Sequence, residues 1–208
     1  MTPTPTHNAL PLCGAEFTTL TEALDYAALG NTGFNFYDGS GKLATVLSYA
    51  QLQQDAWSLA QRLWGLASAR GASVAIVAET TPDFMRFFFA CQYAGLVPVP
   101  LPAAIHIGGH KVFIENLELL LDTSQAEVAV APDTYLPLLK EACRHRKMRF
   151  VGRPGDFDRL PGKGVQQGRL ASSRPAGDKH HAALTRHGRI EPVPQPGQFP
   201  LASDKDRG

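Results

Sequence analysis

Few residue groupings in this sequence could do chemistry, and each has a plainer reading beside it. Glycine followed by lysine occurs at Gly41-Lys42 and Gly162-Lys163. A phosphate-cradling G-x-x-x-x-G-K-[ST] loop needs another glycine five places earlier, where Phe36 and Phe157 stand. Both pairs therefore read as turn glycines with a solvated lysine. The turn after the apolar run Ser73–Ala78 is Glu79-Thr-Thr-Pro, with no glycine to let a pyrophosphate approach the backbone. His106 and His110 have the i, i+4 spacing of helical metal ligands, but Gly108 and Gly109 intervene and no third ligand is evident. They read as loop histidines. Asp156 and Asp158 resemble a general-acid pair only in isolation; after Pro154-Gly155 they read as a turn with a solvated face. Cys91 sits on an apolar helical face and reads as packing. Phe84, Phe87, Phe88 and Phe89 read mostly as core, with a few able to line an apolar pocket. No catalytic, cofactor-binding or metal-binding residue is assigned.

The elements that would position such groups are clearer. Pro3, Pro5 and Pro11 make residues 1–17 a flexible lead-in. Thr19 or Thr21 caps a short helix carrying Leu20, Leu24, Ala27 and Ala28 on one face, and Gly30 stops it. Phe34–Tyr37 and Leu43–Leu47 flank Asp38-Gly-Ser-Gly-Lys, which predicts a β-hairpin. Ser48 precedes a strong amphipathic helix with Leu52, Ala56, Leu59, Ala60, Leu63 and Leu66 at spacings of three and four. Ser73–Ala78 is too apolar for an exposed strand and suits a parallel sheet covered on both faces. Pro82 opens a helix that ends at Gly95, and the prolines of Leu96–Pro102 make it an edge or terminal strand. Helix Val112–Leu121, strand Glu127–Ala131, helix Thr134–Cys143 and strand Met148–Val151 follow. This alternation predicts a doubly wound α/β domain.

The 208 residues carry a net charge of +1, with 44% hydrophobic and 19% charged residues. Such a balance argues against a nucleic-acid binder, which needs a Lys/Arg excess, and against a wholly disordered chain. The neutrality is uneven. Residues 162–208 hold eight Lys/Arg against four Asp/Glu, near +4, and the rest is near −3. That stretch has few large apolar residues and no period, so it is expected to be unstructured. Three distant cysteines suggest neither a disulfide framework nor a zinc site. With no signal-peptide pattern and no apolar run long enough to span a bilayer, the expectation is a soluble, cytoplasmic protein.

Taken together, Thr45-Val-Leu-Ser-Tyr-Ala-Gln-Leu, Ser73-Val-Ala-Ile-Val-Ala-Glu-Thr-Thr-Pro-Asp-Phe and Phe88-Phe-Ala-Cys-Gln-Tyr-Ala-Gly-Leu-Val-Pro-Val-Pro-Leu-Pro resemble the start of an adenylate-forming, AMP-binding enzyme. The Gly108-Gly109 loop and its helix are most similar to the fatty acyl-AMP ligase branch. The resemblance covers residues 18–161, including Phe150-Val-Gly-Arg-Pro-Gly-Asp-Phe-Asp-Arg-Leu-Pro.

The resemblance implies a partial, doubly wound N-terminal domain over 18–161. In a complete member a fatty acid carboxylate attacks the α-phosphorus of ATP with Mg²⁺ present, and the acyl group passes to an acyl carrier protein. Such chemistry needs positioned cations and backbone amides around the developing charge. The family's Ser/Thr/Gly-rich loop ending in Pro-Lys/Arg-Gly is expected soon after Asp158-Arg-Leu-Pro, but Lys163-Gly-Val-Gln-Gln-Gly-Arg follows. The later nucleotide motifs and the small domain with the catalytic lysine are also missing. The expectation is a truncated, inactive member that itself binds neither ATP nor Mg²⁺, with 162–208 a disordered tail of the kind a shifted reading frame would produce. The alternative is a non-catalytic remnant or interaction fragment, which docks through exposed apolar surface on a complete ligase or carrier protein.

Overall fold

A hydroxyl sets the first element. Thr19 Oγ1 accepts the backbone N–H of Glu22 at 3.2 Å and caps helix α1, Leu20–Ala27. The computed structural model describes residues 10–11, 13, 17–103 and 109–162. The lead-in read over 1–17 and the tail read over 162–208 lie outside these residues except at 10, 11, 13, 17 and 162, as do His106 and Lys163.

Strands β1, Gly33–Tyr37, and β2, Leu43–Ser48, form the expected antiparallel hairpin. Its turn is organised by Asp38, whose Oδ1 accepts from the N–H of Ser40 and of Lys42, both at 2.9 Å, while Gly41 takes φ +79°. The Ser40 hydroxyl, donating at 2.6 Å, holds the Asp38 carboxyl below its ordinary range. Gly41-Lys42 is thus a hairpin turn. Phe34, Phe36 and Leu47 pack inward, whereas Tyr37, Leu43 and Val46 are exposed.

Ser48 then caps helix α2, Tyr49–Leu66, by accepting from Gln51 N–H at 3.1 Å. Leu52, Ala56, Leu59, Ala60 and Leu63 are buried, as their spacing demands. Strands β3 (Ser73–Val77), β4 (Val97–Leu101), β5 (Val128–Val130) and β6 (Phe150–Gly152) build a parallel sheet in the order β4-β3-β5-β6. Helices α3 (Pro82–Ala94), α4 (Gly109–Ser124) and α5 (Leu136–Ala142) alternate with them.

Both faces of the sheet are covered, so the architecture is doubly wound. Val74, Ile76, Val128 and Val130 join the core with α2 and α3, and Ala75, Val77 and Ala129 join the core with α4 and α5. This double coverage explains why β3 is apolar at nearly every position. At the edge, Val97 N–H donates to Ala72 O at 3.0 Å, so by alternation Pro98 and Pro100 turn their amide-less nitrogens away from β3. Gly95 ends α3 with φ +66°, a left-handed cap that glycine adopts without strain.

Some expectations need correction. Helix α4 runs Gly109–Ser124 rather than Val112–Leu121; Gly109 starts it with φ +72°, and in its last turn Thr123 Oγ1 donates to Leu119 O at 2.8 Å. Helix α5 is shorter than Thr134–Cys143, because Tyr135 is its N-cap and Pro137 lies in its first turn. Strand β6 starts at Phe150 rather than Met148. The four phenylalanines on α3 are mostly core, as read: Phe87 is buried, Phe84 and Phe89 are partly buried against the same core, and Phe88 is the exception, making ring contacts with Phe84 and Phe89.

Two polar knots tie the layers. Tyr93 donates its hydroxyl to Asp25 Oδ1, which also accepts from Gln53 Nε2 at 2.7 Å, joining α1, α2 and α3. Burial and that carboxylate push the Tyr93 phenol up. At the amino ends of the strands, Glu127 accepts from Ser68 N–H at 2.9 Å and from the Ser68 hydroxyl, and pairs with Arg149 at 3.2 Å. The hydrogen bond from the Ser68 hydroxyl lowers its pKa below the ordinary carboxylate value of 4.5. A depressed folded pKa contributes stability above the unfolded value, and that contribution is lost as pH falls through the folded one. Melting temperature is therefore expected to be level above about pH 5 and to decline on acidification below pH 4.5, more shallowly in Glu127→Gln. Thermal melts of both proteins from pH 7 to pH 3 check this.

Candidate functional site

In a doubly wound sheet, loops diverge where successive connections leave in opposite directions, and ligands bind in the crevice at the carboxyl ends of those strands. Here the chain leaves β3 towards β4, returns, and continues from β5 to β6, so the switch lies between β3 and β5. A depression of about 400 Å³ occupies that place. Glu79 and Thr81 enter it after β3, Pro132 and Asp133 after β5, and Arg153, Asp156 and Arg159 after β6. A second depression of about 500 Å³ adjoins it across Asp83, Pro154 and Gly155, lined by Asp55, Ser58 and Arg62 of α2 and Arg86 of α3.

The wall between the two is a 3₁₀ helix, Pro154–Arg159. Arg153 N–H donates to Asp156 Oδ2 at 2.9 Å, and the Arg153 guanidinium reaches Asp156 Oδ1 at 3.1 Å and Asp133 at 3.4 Å. The hydrogen bond from the guanidinium holds the Asp156 carboxyl below its usual range. Phe157 roots this turn. It is fully buried, with ring centroids 4.8 Å from Phe87 and 4.6 Å from Phe150. The Asp156–Asp158 pair is therefore not a uniformly solvated turn: Asp156 is a cap, Phe157 is core, and only Asp158 is well exposed, 3.6 Å from Arg62.

Arg86 bridges α2 and α3, with Nε 2.7 Å from Asp55 and Nη1 2.9 Å from Asp83. Burial opposes its charge, but hydrogen bonds and attraction from the two carboxylates outweigh that, and its pKa is raised. Arg62, Arg86 and Arg153 are thus engaged with protein carboxylates. Around the switch-point depression Glu79, Asp83, Asp133 and Asp156 face only Arg153 and Arg159. That excess of negative charge repels a triphosphate even though the N-terminus of α3 points its dipole there. Among the described residues no group of three His, Cys, Asp or Glu side chains could hold a metal ion. The crevice suits a neutral or cationic polar group and assigns no step of adenylate chemistry.

The structure separates most of the singled-out residues. His110 lies exposed in the first turn of α4, Cys91 is fully buried with its thiol pKa pushed up by burial, and Gly41-Lys42 is remote in the hairpin. Sequence reasoning missed Arg86, Arg153, Asp55, Asp83 and Asp133. For Asp83, Asp133 and Arg153 the signal is positional: charged residues placed soon after apolar strands become neighbours once the strand order is known, whereas Asp55 and Arg86 lie within helices α2 and α3.

The sequence matches the AMP-binding enzyme family over residues 30–183, extending past the composition change at 162. It is 44% identical over 149 residues to a Caulobacter vibrioides protein assigned as an acyl-CoA synthetase, covering 72% of this chain and 26% of that one. It is 25% identical over 138 residues to the medium-chain-fatty-acid–[acyl-carrier-protein] ligase JamA of Moorena producens, covering 65% of this chain and 23% of that one. Among solved structures, a fatty acyl-adenylate ligase from a study of the E. coli and L. pneumophila proteins superposes with a TM-score of 0.70 at 38% identity, over 75% of this chain and 28% of that one. The chain spans about a quarter of the length of these relatives. Among the described residues no helix is long and apolar enough to cross a membrane.

Proposed function

Because the chain belongs to the AMP-binding enzyme family, whose members form adenylates, we propose that it is a segment of a fatty acyl-AMP ligase. In that reading the complete protein joins a fatty acid to AMP from ATP with Mg²⁺ and passes the acyl group to an acyl carrier protein in the cytoplasm. The segment's part is structural: it supplies a doubly wound layer, with residues 18–161 as the partial domain. What supports the reading is the likeness in sequence and shape to the solved fatty acyl-adenylate ligase, which extends over three quarters of the chain. Around the switch-point crevice carboxylates outnumber cations and Arg153 is already paired, which disfavours an uncomplexed triphosphate there. No adenylation step is therefore derived from these residues.

The 208-residue chain alone is accordingly expected to release no pyrophosphate above a protein-free blank when given a fatty acid, ATP and Mg²⁺. A coupled pyrophosphate assay across medium and long acyl chains checks this, and turnover by the purified chain would overturn it.

A further inference from the structure

The charges of the parallel sheet are sorted along its strands. The crevice at the carboxyl ends is lined by Glu79, Asp83, Asp133 and Asp156 against Arg153 and Arg159. The amino ends carry the opposite sign. There residues 140–149 hold five Lys/Arg against one Glu. Hydrogen bonds fix what stands beside them. Arg149 N–H donates to Glu127 O at 2.7 Å, and Glu127 accepts from Ser68, two residues before Arg70. Gly71 N–H donates to Gly95 O at 2.8 Å, and the Arg70 side chain lies against Gly95. Residues 68–71, 95, 127 and 144–149 therefore make one face, at the starts of β3, β4, β5 and β6.

Part of that positive charge is already matched. Arg144 pairs with Glu141 at 3.2 Å, Arg146 with Asp122, and Arg149 with Glu127 at 3.2 Å. Arg70 and Lys147 are exposed, and among the described residues neither has an ion-pair partner. Lys140 in the last turn of α5 and Glu118, whose backbone carbonyl accepts from Arg146 at 2.7 Å, border the face. With them, six cations stand against four carboxylates. Among the described residues Val97 is the only exposed large hydrophobic at the starts of these four strands, too little to centre a specific protein interface. Positive charge without an apolar centre suits a diffuse anionic plane, which attracts by charge density rather than by shape. Such a plane also orients the molecule, because it repels the acidic crevice at the other end of the strands.

We propose that the face at the amino ends of the parallel strands docks the protein on an anionic lipid bilayer. Arg70, Arg144 and Lys147 lie nearest the headgroups, and the switch-point crevice is turned towards water. The fatty acid of the reading above concentrates in such bilayers, which gives the docking a use, but the docking does not depend on that reading.

Vesicle sedimentation with the full chain at low ionic strength tests this. Binding is expected to vesicles of equal parts phosphatidylcholine and phosphatidylserine, not to phosphatidylcholine alone, and should fall steeply as salt is added. Arg70→Glu combined with Lys147→Glu should weaken it at least tenfold. Lys42→Glu combined with Lys111→Glu makes the same change of net charge at exposed positions of the hairpin turn and of the first turn of α4, and should alter it less than twofold. All four lysines and arginines are exposed, so the variants are expected to keep the parent's circular dichroism. Arg70→Gln with Lys147→Gln, which removes the charges without reversing them, should give a smaller loss in the same direction. Unchanged affinity of the Arg70/Lys147 variants, or an equal loss in the Lys42/Lys111 variant, overturns the proposal. So does equal binding to phosphatidylcholine alone, which names apolar insertion, or equally tight binding to a single-stranded oligonucleotide, which names nucleic acid. The readout is association with lipid, so its failure is separable from any result of the pyrophosphate assay.

Discussion

Replacing Phe157 with alanine is expected to destabilise the protein by about 4 kcal/mol, within the range for deleting a fully buried aromatic ring. The ring is 0% exposed and meets Phe87 of α3 and Phe150 of β6 edge-on. Its two ring partners are anchored on α3 and β6, so the void closes only in part. The effect is large against a domain stability of about 5–15 kcal/mol. Urea unfolding followed by circular dichroism reads it as a lower midpoint. Phe157→Leu should retain more than half of the lost stability, since it keeps most of the buried area. An unfolding midpoint for Phe157→Ala equal to that of the parent would show that the 3₁₀ turn is not rooted in the core.

Gly33→Ala should cost about 3 kcal/mol, the upper end for overpacking. The reason is space rather than backbone angle. A Cβ at Gly33 would stand 2.2 Å from Leu47 O and 2.6 Å from Ser48 Cα. Those are backbone atoms of the partner strand, and Ser48 is also the cap of α2. Relief requires the strands to part, which releases Phe34 and Leu47 from the core and disturbs the start of α2. Gly39→Ala, in the same hairpin but with nothing within 4 Å of the added methyl, is the control and should stay within about 0.5 kcal/mol of the parent. Equal midpoints for the two variants would contradict this account.

The sequence carried much of the fold because several elements have local causes. Thr19 and Ser48 cap helices by accepting an N–H three residues on, and Gly95 ends one in the only region where glycine is favoured. The spacing of Leu52, Ala56, Leu59 and Leu63 names a buried face without reference to its partner. Where the cause is not local, reading failed. A single phenylalanine between two aspartates has no period, so the burial of Phe157 was invisible. Likewise four phenylalanines in six residues of α3 cannot all be buried alike: Phe87 is, Phe84 and Phe89 are partly buried against the same core, and Phe88 lies outside it.

The candidate site was less legible than the fold. Arg86 meets Asp55 from 31 residues away, and Arg153 meets Asp133 across 20, so neither pair has a spacing that marks it. The crevice exists only because β5 lies beside β3 while β4 lies on the other side. The outer side of α4 was equally hidden: its leucines look like one apolar run, and only the placement of Leu117 and Leu121 in the core shows that Leu119 and Leu120 face out.

The two prolines of β4 have a consequence for how this sheet grows. Their nitrogens sit on the outer edge, so a strand arriving there finds no amide hydrogen at positions 98 and 100 with which to register. Among the described residues the edge of β6 carries no such block. The sheet is therefore polar in the sense of a filament, with one end terminated and the other able to elongate. A further strand, whether native or the start of an aggregate, is directed to the β6 side, and that is where a charged residue would most improve the solubility of the isolated chain.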